Sequence, residues 1–321
     1  DWLTGRILAA GGGFAEWTTD AGDASGTGYF DAATREYRPD LLRMAAGRDL
    51  AVPRVAGPSE VVGRTRDGLA VAPGTGDNMG AALGLGLRPG DVVVSLGTSG
   101  TAFARHDRPT ADPRGFVQSF ADAEDGFLPL VCTLNAARVL TAGASMLGVD
   151  HAGLDRLALA AEPGAGGLTL LPFLDGERTP NLPTATGALH GITRGNATPE
   201  NLARAVVEGM LLGLASAVDA VSDAGCAVDR VLLIGGAAAS TAVRRIAPDL
   251  FGAPVAVPAP GEYVAVGAAR QAAWALGGGP SAPEWPLAVE ATVDPAAPEQ
   301  GAQARGRYAA ALATTYPGAT A

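Results

Sequence analysis

The chain contains no lysine. All 23 of its basic residues are arginines, spread over 321 positions. A P-loop nucleotide site needs a lysine beside its glycines, so that mechanism is excluded. Cysteine is almost absent too. Cys132 and Cys226 stand far apart and form no CxxC pair, which excludes a zinc ribbon and a disulfide framework; they read as buried thiols of a reducing compartment. His106, His151 and His190 are scattered, and core or solvent histidine is the simpler reading than metal ligation. Basic runs are missing, and the formal net charge is −10. That balance argues against nucleic acid or an anionic membrane as a partner. No apolar run is long enough to span a bilayer without interruption: the greasiest stretch, Leu202 to Val221, carries Arg204, Glu208 and Asp219 and reads as a core helix. The first residues lack the pattern of a signal peptide. Together these absences lead to the expectation of a cytoplasmic protein working on small molecules.

What is present is a large apolar fraction, 47%, with 45 glycines and 23 prolines. That composition allows one large or two medium domains rich in turns. The opening Asp1-Trp2-Leu3-Thr4-Gly5-Arg6 has neither a Met nor a helix cap and reads as a start in mid-domain. Residues 1–65 form a first zone, with a packed turn and short helix around Thr19 to Thr27, an amphipathic helix from Pro39 to Ala45 and an extended linker from Ala51 to Pro58. From Gly68 the pattern alternates. Strands are expected at Leu69–Ala72, Asp91–Leu96, Thr101–Arg105, Phe127–Cys132, Leu168–Pro172, Arg230–Ile234 and Val255–Val257. Helices are expected at Asn78–Leu85, Asn135–Leu147, Asn201–Ala224, Ala239–Phe251, Val264–Leu276 and Glu299–Leu312. This rhythm predicts an α/β sheet covered by helices.

The densest information lies between Gly74 and Gly100, GTGDNMGAALGLGLRPGDVVVSLGTSG. Asp77 sits in a glycine-bracketed turn ahead of a small-residue helix. As structure it would cap that helix. As chemistry it is a carboxylate held rigidly enough to take a proton from an attacking hydroxyl. Gly97-Thr98-Ser99-Gly100 follows a buried strand and is either a plain hairpin turn or a donor-rich loop for phosphate oxygens. Leu232-Leu233-Ile234-Gly235-Gly236-Ala237-Ala238-Ala239-Ser240 ends a strand in two glycines. It reads either as tight strand–helix packing or as a turn against which a flat base can lie, with Ser240 as a polar contact. The dinucleotide fingerprint GxGxxG is absent, so an oxidoreductase is disfavoured. In Leu171 to Pro180, Asp175, Glu177 and Arg178 read as an ion-pair knot.

Taken in order, GDN at Asp77, SLGTSG, LPFLDGERTP, GALHGI leading to NLARAVVEG, LLIGGAAAS and Val266-Gly267-Ala268-Ala269 resemble the FGGY carbohydrate kinases. The resemblance covers nearly the whole chain, including DWLTGR and TDAGDASGT. It implies an actin/hexokinase-like ATPase fold of two ribonuclease-H-like lobes, with residues 1–65 as a remnant of the N-terminal lobe and 66–321 as the C-terminal kinase lobe. It implies Asp77 as catalytic base, with Asn78 beside it at the sugar. It implies Gly97, Thr98, Ser99, Gly100, Asn135, Thr141, Gly235, Gly236, Ala237 and Ser240 at the nucleotide. ATP and Mg²⁺ follow as cofactors, with no protein metal ligand assigned, and a homodimer is compatible with the family. The GERTP loop points to the D-xylulose branch. The other readings are a gluconate, ribulose or glycerol kinase of the same family, or a non-catalytic nucleotide-binding fragment. The Asp-x-Gly-Thr loop with which family members begin has no counterpart in this sequence.

Overall fold

A computed structural model describes residues 1–12 and 15–319. The first zone is built of short pieces. They are α1 (Trp2–Ala10), β1 (Thr18–Thr19), α2 (Ala21–Ser25), β2 (Phe30–Asp31), β3 (Glu36–Tyr37), α3 (Pro39–Ala46), β4 (Arg54–Val55), β5 (Gly63–Arg64) and β6 (Ala70–Val71). Strands β1 and β4 pair in parallel, while β2–β3 and β5–β6 form antiparallel pairs. The expected linker from Ala51 to Pro58 is therefore partly a strand: Arg54 N–H donates to the Trp17 carbonyl at 3.0 Å and Ala56 N–H to that of Thr19 at 2.8 Å. The β5–β6 pair straddles residue 65.

The remaining elements are α4 (Asp77–Leu85), β7 (Asp91–Leu96), β8 (Gly100–Ala104), β9 (Gln118–Ala121), β10 (Phe127–Thr133), α5 (Ala137–Leu147), α6 (His151–Ala160), β11 (Thr169–Leu171), β12 (Ala188–His190), α7 (Pro199–Asp223), β13 (Arg230–Ile234), α8 (Thr241–Phe251), β14 (Val255–Pro258), α9 (Tyr263–Gly277), β15 (Val289–Val293) and α10 (Pro298–Thr315). The strands and helices expected from Gly68 onward fall on β6 and on these elements, with two differences in where helices begin. Asn135 lies ahead of α5 instead of on it, and α8 starts at Thr241 after a 3-10 turn over Gly236–Ala239. The strands β1 to β5, β9, β12 and β15 and the helices α1 and α6 had no counterpart in the sequence reading; they are short, or half-exposed, and their apolar period is weak.

A seven-stranded sheet has the order β15-β14-β13-β7-β8-β10-β9. Strands β14, β13 and β7 run parallel, and β7 continues into β8 through a tight antiparallel turn that pairs Leu96 with Gly100. The run Asp91-Val-Val-Val-Ser-Leu suits this central place, because a strand covered on both faces needs no polar alternation. Its side chains divide by parity. Val92, Val94 and Leu96 enter the main core with α5, α6, α7, α8 and α10. Val93 joins a second core with Leu83, Leu85 and Trp274 of α4 and α9. Ser95 shares the parity of Val93 and so faces the α4–α9 side.

Helix α7 is long and apolar enough to cross a bilayer by length and composition, but 78% of its most apolar window is buried within the protein. It is the central helix of the main core. Thr198 caps it by accepting from Asn201 N–H at 3.2 Å, with Pro199 in the first turn. Its interruption by charge is resolved internally: the Arg204 guanidinium donates to Glu208 at 2.6 Å, one turn away, and Glu208 also accepts from Gly164 N–H at 2.9 Å.

Candidate active site

Asp77 is the first residue of α4, and Gly76 occupies the cap position without a side-chain hydrogen bond. The carboxylate is therefore not a helix cap in the usual sense. Its Oδ1 accepts from the backbone and side-chain amides of Asn78, at 2.7 and 2.8 Å, and the side chain is exposed. Asn78 orients the carboxylate from the neighbouring position.

The place of Asp77 is fixed by how α4 meets α9. A Cβ on Gly84 would lie 2.0 Å from the Tyr263 carbonyl, and one on Gly267 would lie 1.8 Å from that of Gly80. Only glycine permits such backbone-to-backbone contact between the two helices. The small residues read from the sequence are there to bring α4 against α9, and the helix start that bears Asp77 is carried with them.

A cavity of about 550 Å³ opens beside it, on the α4–α9 side of the sheet at the carboxyl ends of β7, β13 and β14. Such a crevice is where open α/β sheets hold ligands. Asp77 and Asn78 line it together with Ser95, Gly235, Gly236 and Arg244. The Pro258–Val264 segment, which leads from β14 into α9, closes the far wall. The carboxylate and the glycine turn, 158 positions apart in sequence, thus share one cavity.

The two glycines of that turn differ. Gly235 has φ +91° and a Cβ there would strike the Leu96 backbone at 2.7 Å, so it serves strand–turn packing. Around Gly236 a Cβ would meet nothing within 4 Å, which leaves the backbone open to the cavity. The hairpin Gly97–Gly100 caps the adjoining end of β7. Thr98 and Ser99 are exposed, whereas a Cβ on Gly100 would meet Leu214 at 2.7 Å and Thr133 at 2.9 Å. Helix α5 abuts the hairpin: Ala137 N–H donates to the Gly97 carbonyl at 3.0 Å and Arg138 reaches the Thr98 carbonyl at 3.4 Å.

The hairpin residues Gly97 to Gly100 and the other residues singled out in the sequence lie outside the cavity lining. Asn135 is 3% exposed. Its amide donates to the Gly176 carbonyl at 2.7 Å and to Glu177 at 2.9 Å, and its oxygen accepts from Leu174 N–H at 3.1 Å. Those bonds knit the Asp175–Pro180 loop to β10. Thr141 stands on an exposed face of α5, its hydroxyl donating to the Ala137 carbonyl at 3.5 Å. Ser240 caps α8 and donates to Asp155 of α6 at 2.6 Å, so its hydroxyl is engaged below the turn; Ala237 is half-buried there. The expected ion-pair knot among Asp175, Glu177 and Arg178 does not form among the described residues. Asp175 pairs with Arg138 at 2.6 Å, Glu177 is buried and accepts from the Leu134 and Arg178 N–H groups and from the Asn135 amide, and Arg178 acts electrostatically on the Cys132 thiol.

Ser95, Arg244, Glu262 and Tyr263 line the cavity and were not read from the sequence. Strand parity carried the signal for Ser95. For Glu262 and Tyr263 it was the position after a third parallel strand. Arg244 had none: it is one arginine of an amphipathic helix, and only its bond to the Ala238 carbonyl at 2.5 Å turns it to the glycine turn. The cysteines follow their surroundings. Burial pushes the Cys226 thiol up to about 11. Burial also raises the Cys132 thiol, opposed by Arg178 and reinforced by Asp77.

Residues 92–276 match the C-terminal domain of the FGGY family of carbohydrate kinases. The chain is 47% identical over 287 residues to a xylulose kinase of Streptomyces coelicolor, covering 87% of this chain and 56% of that protein. A xylulose kinase of Haemophilus influenzae is 34% identical over 292 residues, covering 87% of this chain and 57% of that one. The crystal structure of a xylulose kinase from Bifidobacterium adolescentis superposes with a TM-score of 0.86 at 42% identity, over 97% of this chain and 67% of that one. The chain thus spans a little over half the length of the curated relatives it matches. It belongs to the FGGY family of carbohydrate kinases and has their actin/hexokinase-like ATPase fold.

Proposed function

We propose that this chain carries the ATP-dependent phosphorylation of D-xylulose at its terminal hydroxyl, giving D-xylulose 5-phosphate. Residues 66–321 would be the C-terminal kinase lobe and 1–65 part of the N-terminal one. The observation that carries the reading is the exposed Asp77 carboxylate lining one cavity with the Gly235–Gly236 turn. The likeness to xylulose kinases over 87% of the chain supports the choice of sugar.

In this reading Asp77 accepts the proton of the attacking hydroxyl, and Asn78 holds the carboxylate and contacts the sugar. An ordinary carboxylate is ionised at neutral pH, so its contribution is orientation more than basicity. The Gly97–Gly100 hairpin steadies the transferring phosphoryl group, and the base of the nucleotide lies along Gly236. Asn135, Thr141, Ala237 and Ser240 support those two corners from behind. A nucleotide-borne magnesium ion would supply neutralisation of the phosphate charge. The cavity suits it, since Asp77, Ser95 and Glu262 all offer oxygen. The apolar fraction buried by α7 and the acidic charge fit a cytoplasmic enzyme that uses neither membrane nor nucleic acid.

The test is ADP release on a panel of D-xylulose, D-ribulose, glycerol and gluconate. D-xylulose should be turned over fastest; equal rates with glycerol or gluconate would remove the sugar assignment. Nucleotide binding without sugar-stimulated turnover would favour a binding module.

A further inference from the structure

Away from the cavity, the first zone gathers three carboxylates. Asp1 precedes α1, Asp20 precedes α2, and Asp23 lies in the first turn of α2. One oxygen from each lies within 4.8 Å of the others. None of the ion pairs among the described residues involves any of the three. Asp20 is 4% exposed. Its Oδ1 is occupied, accepting from Gly22 N–H at 2.8 Å and Asp23 N–H at 3.2 Å. Its Oδ2 is buried with no hydrogen-bond partner. A buried carboxylate oxygen without a donor is costly, and natural structures satisfy such atoms with a proton, a water or an ion.

We propose that Asp1, Asp20 and Asp23 bind a hard divalent cation of the calcium and magnesium class. The donors are carboxylate oxygens only, without imidazole or thiolate, which selects that class over zinc or copper. Calcium–oxygen bonds of about 2.3–2.6 Å place opposed ligands roughly 5 Å apart, so the three oxygens can surround such an ion with little movement. Asp1 and Asp23 are exposed, leaving an open side for the water that completes the coordination. The site lies behind the Asp77 turn. A Cβ on Gly76 would stand 3.0 Å from Asp23 Oδ1, and one on Gly22 would stand 2.9 Å from Met79 of α4. A bound ion would tie the start of α1 to the start of α2, beside the turn that begins α4. The proposal does not depend on the sugar or on turnover.

The experiment is calorimetric titration and thermal melting of the chelator-stripped chain with calcium chloride and, separately, magnesium chloride, without nucleotide or sugar. At least one of the two should bind saturably at up to millimolar concentration and raise Tm. Asp20→Asn keeps an oxygen for the α2 cap and should fold, yet lose affinity by roughly tenfold or more, as removal of a charged ligand does. Asp23→Asn should weaken binding in the same direction, and Asp77→Asn should leave it unchanged. No saturable binding by either cation, equal binding by Asp20→Asn, or loss of binding in Asp77→Asn would overturn the assignment, the last by moving the ion to the cavity.

Discussion

The two faces of the sheet are built from opposite vocabularies. On one, α7 packs Val206, Met210, Leu211 and Leu214, each at 0% exposure, into a continuous core. On the other, α4 and α9 meet through Gly80, Gly84 and Gly267, and the cover stops short so that a cavity remains at the strand ends. Large side chains supply buried apolar area, from which most of the stability derives. Glycines supply little area, but they fix the distance between two backbones to within a few tenths of an ångström. The packed face holds the sheet together, and the glycine face places Asp77.

Substitutions that separate stability from turnover sharpen this contrast. The largest effect is expected for Asp77→Asn on the open face: turnover of D-xylulose should fall about 10²–10⁴-fold, the range for loss of a general base. Its Tm and nucleotide affinity should stay near wild type, as read by thermal melting and calorimetry, and substantial remaining turnover would take the proton-accepting role from Asp77. Leu211→Ala on the packed face should do the reverse. A fully buried leucine cut to alanine costs about 2–5 kcal/mol, visible in a denaturant melt, while kcat of the folded fraction stays unchanged.

Gly84→Ala tests the link between the faces. The new methyl would stand 2.0 Å from the Tyr263 carbonyl, so α4 must move away from α9. Overpacking of this kind costs about 1–3 kcal/mol. Because the displaced helix bears Asp77, kcat should fall as well, by more than the loss of folded protein explains; a fall in stability alone would break the argument that the glycines position the base. Gly236→Ala adds a methyl into open space. Stability should change by less than about 0.5 kcal/mol, whereas KM for ATP should rise with little change in kcat.

The smallest effect belongs to the thiols, one on each face. Cys226 packs in the main core and Cys132 against the second. The fold favours the protonated Cys226 thiol, whose value rises from 9.0 to about 11. Its contribution is complete below the unfolded value and is lost as pH climbs through that window, on the order of 1 kcal/mol. Alkaline melts of Cys226→Ala should slope less steeply between these limits. Thiol labelling near pH 8 should reach Cys132 first, since Cys226 is the more buried of the two; faster labelling of Cys226 would reverse the assignment of open and packed faces.

The cavity face was only partly legible in advance. The strand Asp91–Leu96, the glycine turn after Ile234 and the turn at Asp77 were visible because each is a local pattern: an apolar run, a pair of glycines, or an acid between Gly76 and Asn78. Asn135 and Ser240 show where local pattern fails. Both are polar residues in the right neighbourhood. Yet Asn135 bonds to residues 39 to 42 positions away and Ser240 to one 85 positions away, and no spacing rule announces such partners. The two-residue strands of the first zone were missed for a related reason, since a strand such as Arg54–Val55 is set by its partner more than by its own side chains, whereas the short helices there, α2 and α3, were expected.

The order of residues alone determined the class of fold, the central strands, the small-residue helix and the family. These rest on periodicity and on motifs read within a few residues of each other. The tertiary structure decided which of the polar candidates face open space. It joined Asp77 to Gly236 across one cavity, turned Arg244 and Ser95 toward it, tied Asn135 and Ser240 into the scaffold, and gathered Asp1, Asp20 and Asp23 behind the Asp77 turn. The reason is that a side chain's hydrogen-bond partners and its exposure are set by chain segments far away in sequence, and these come together only when the sheet and its two unlike layers of helices have packed.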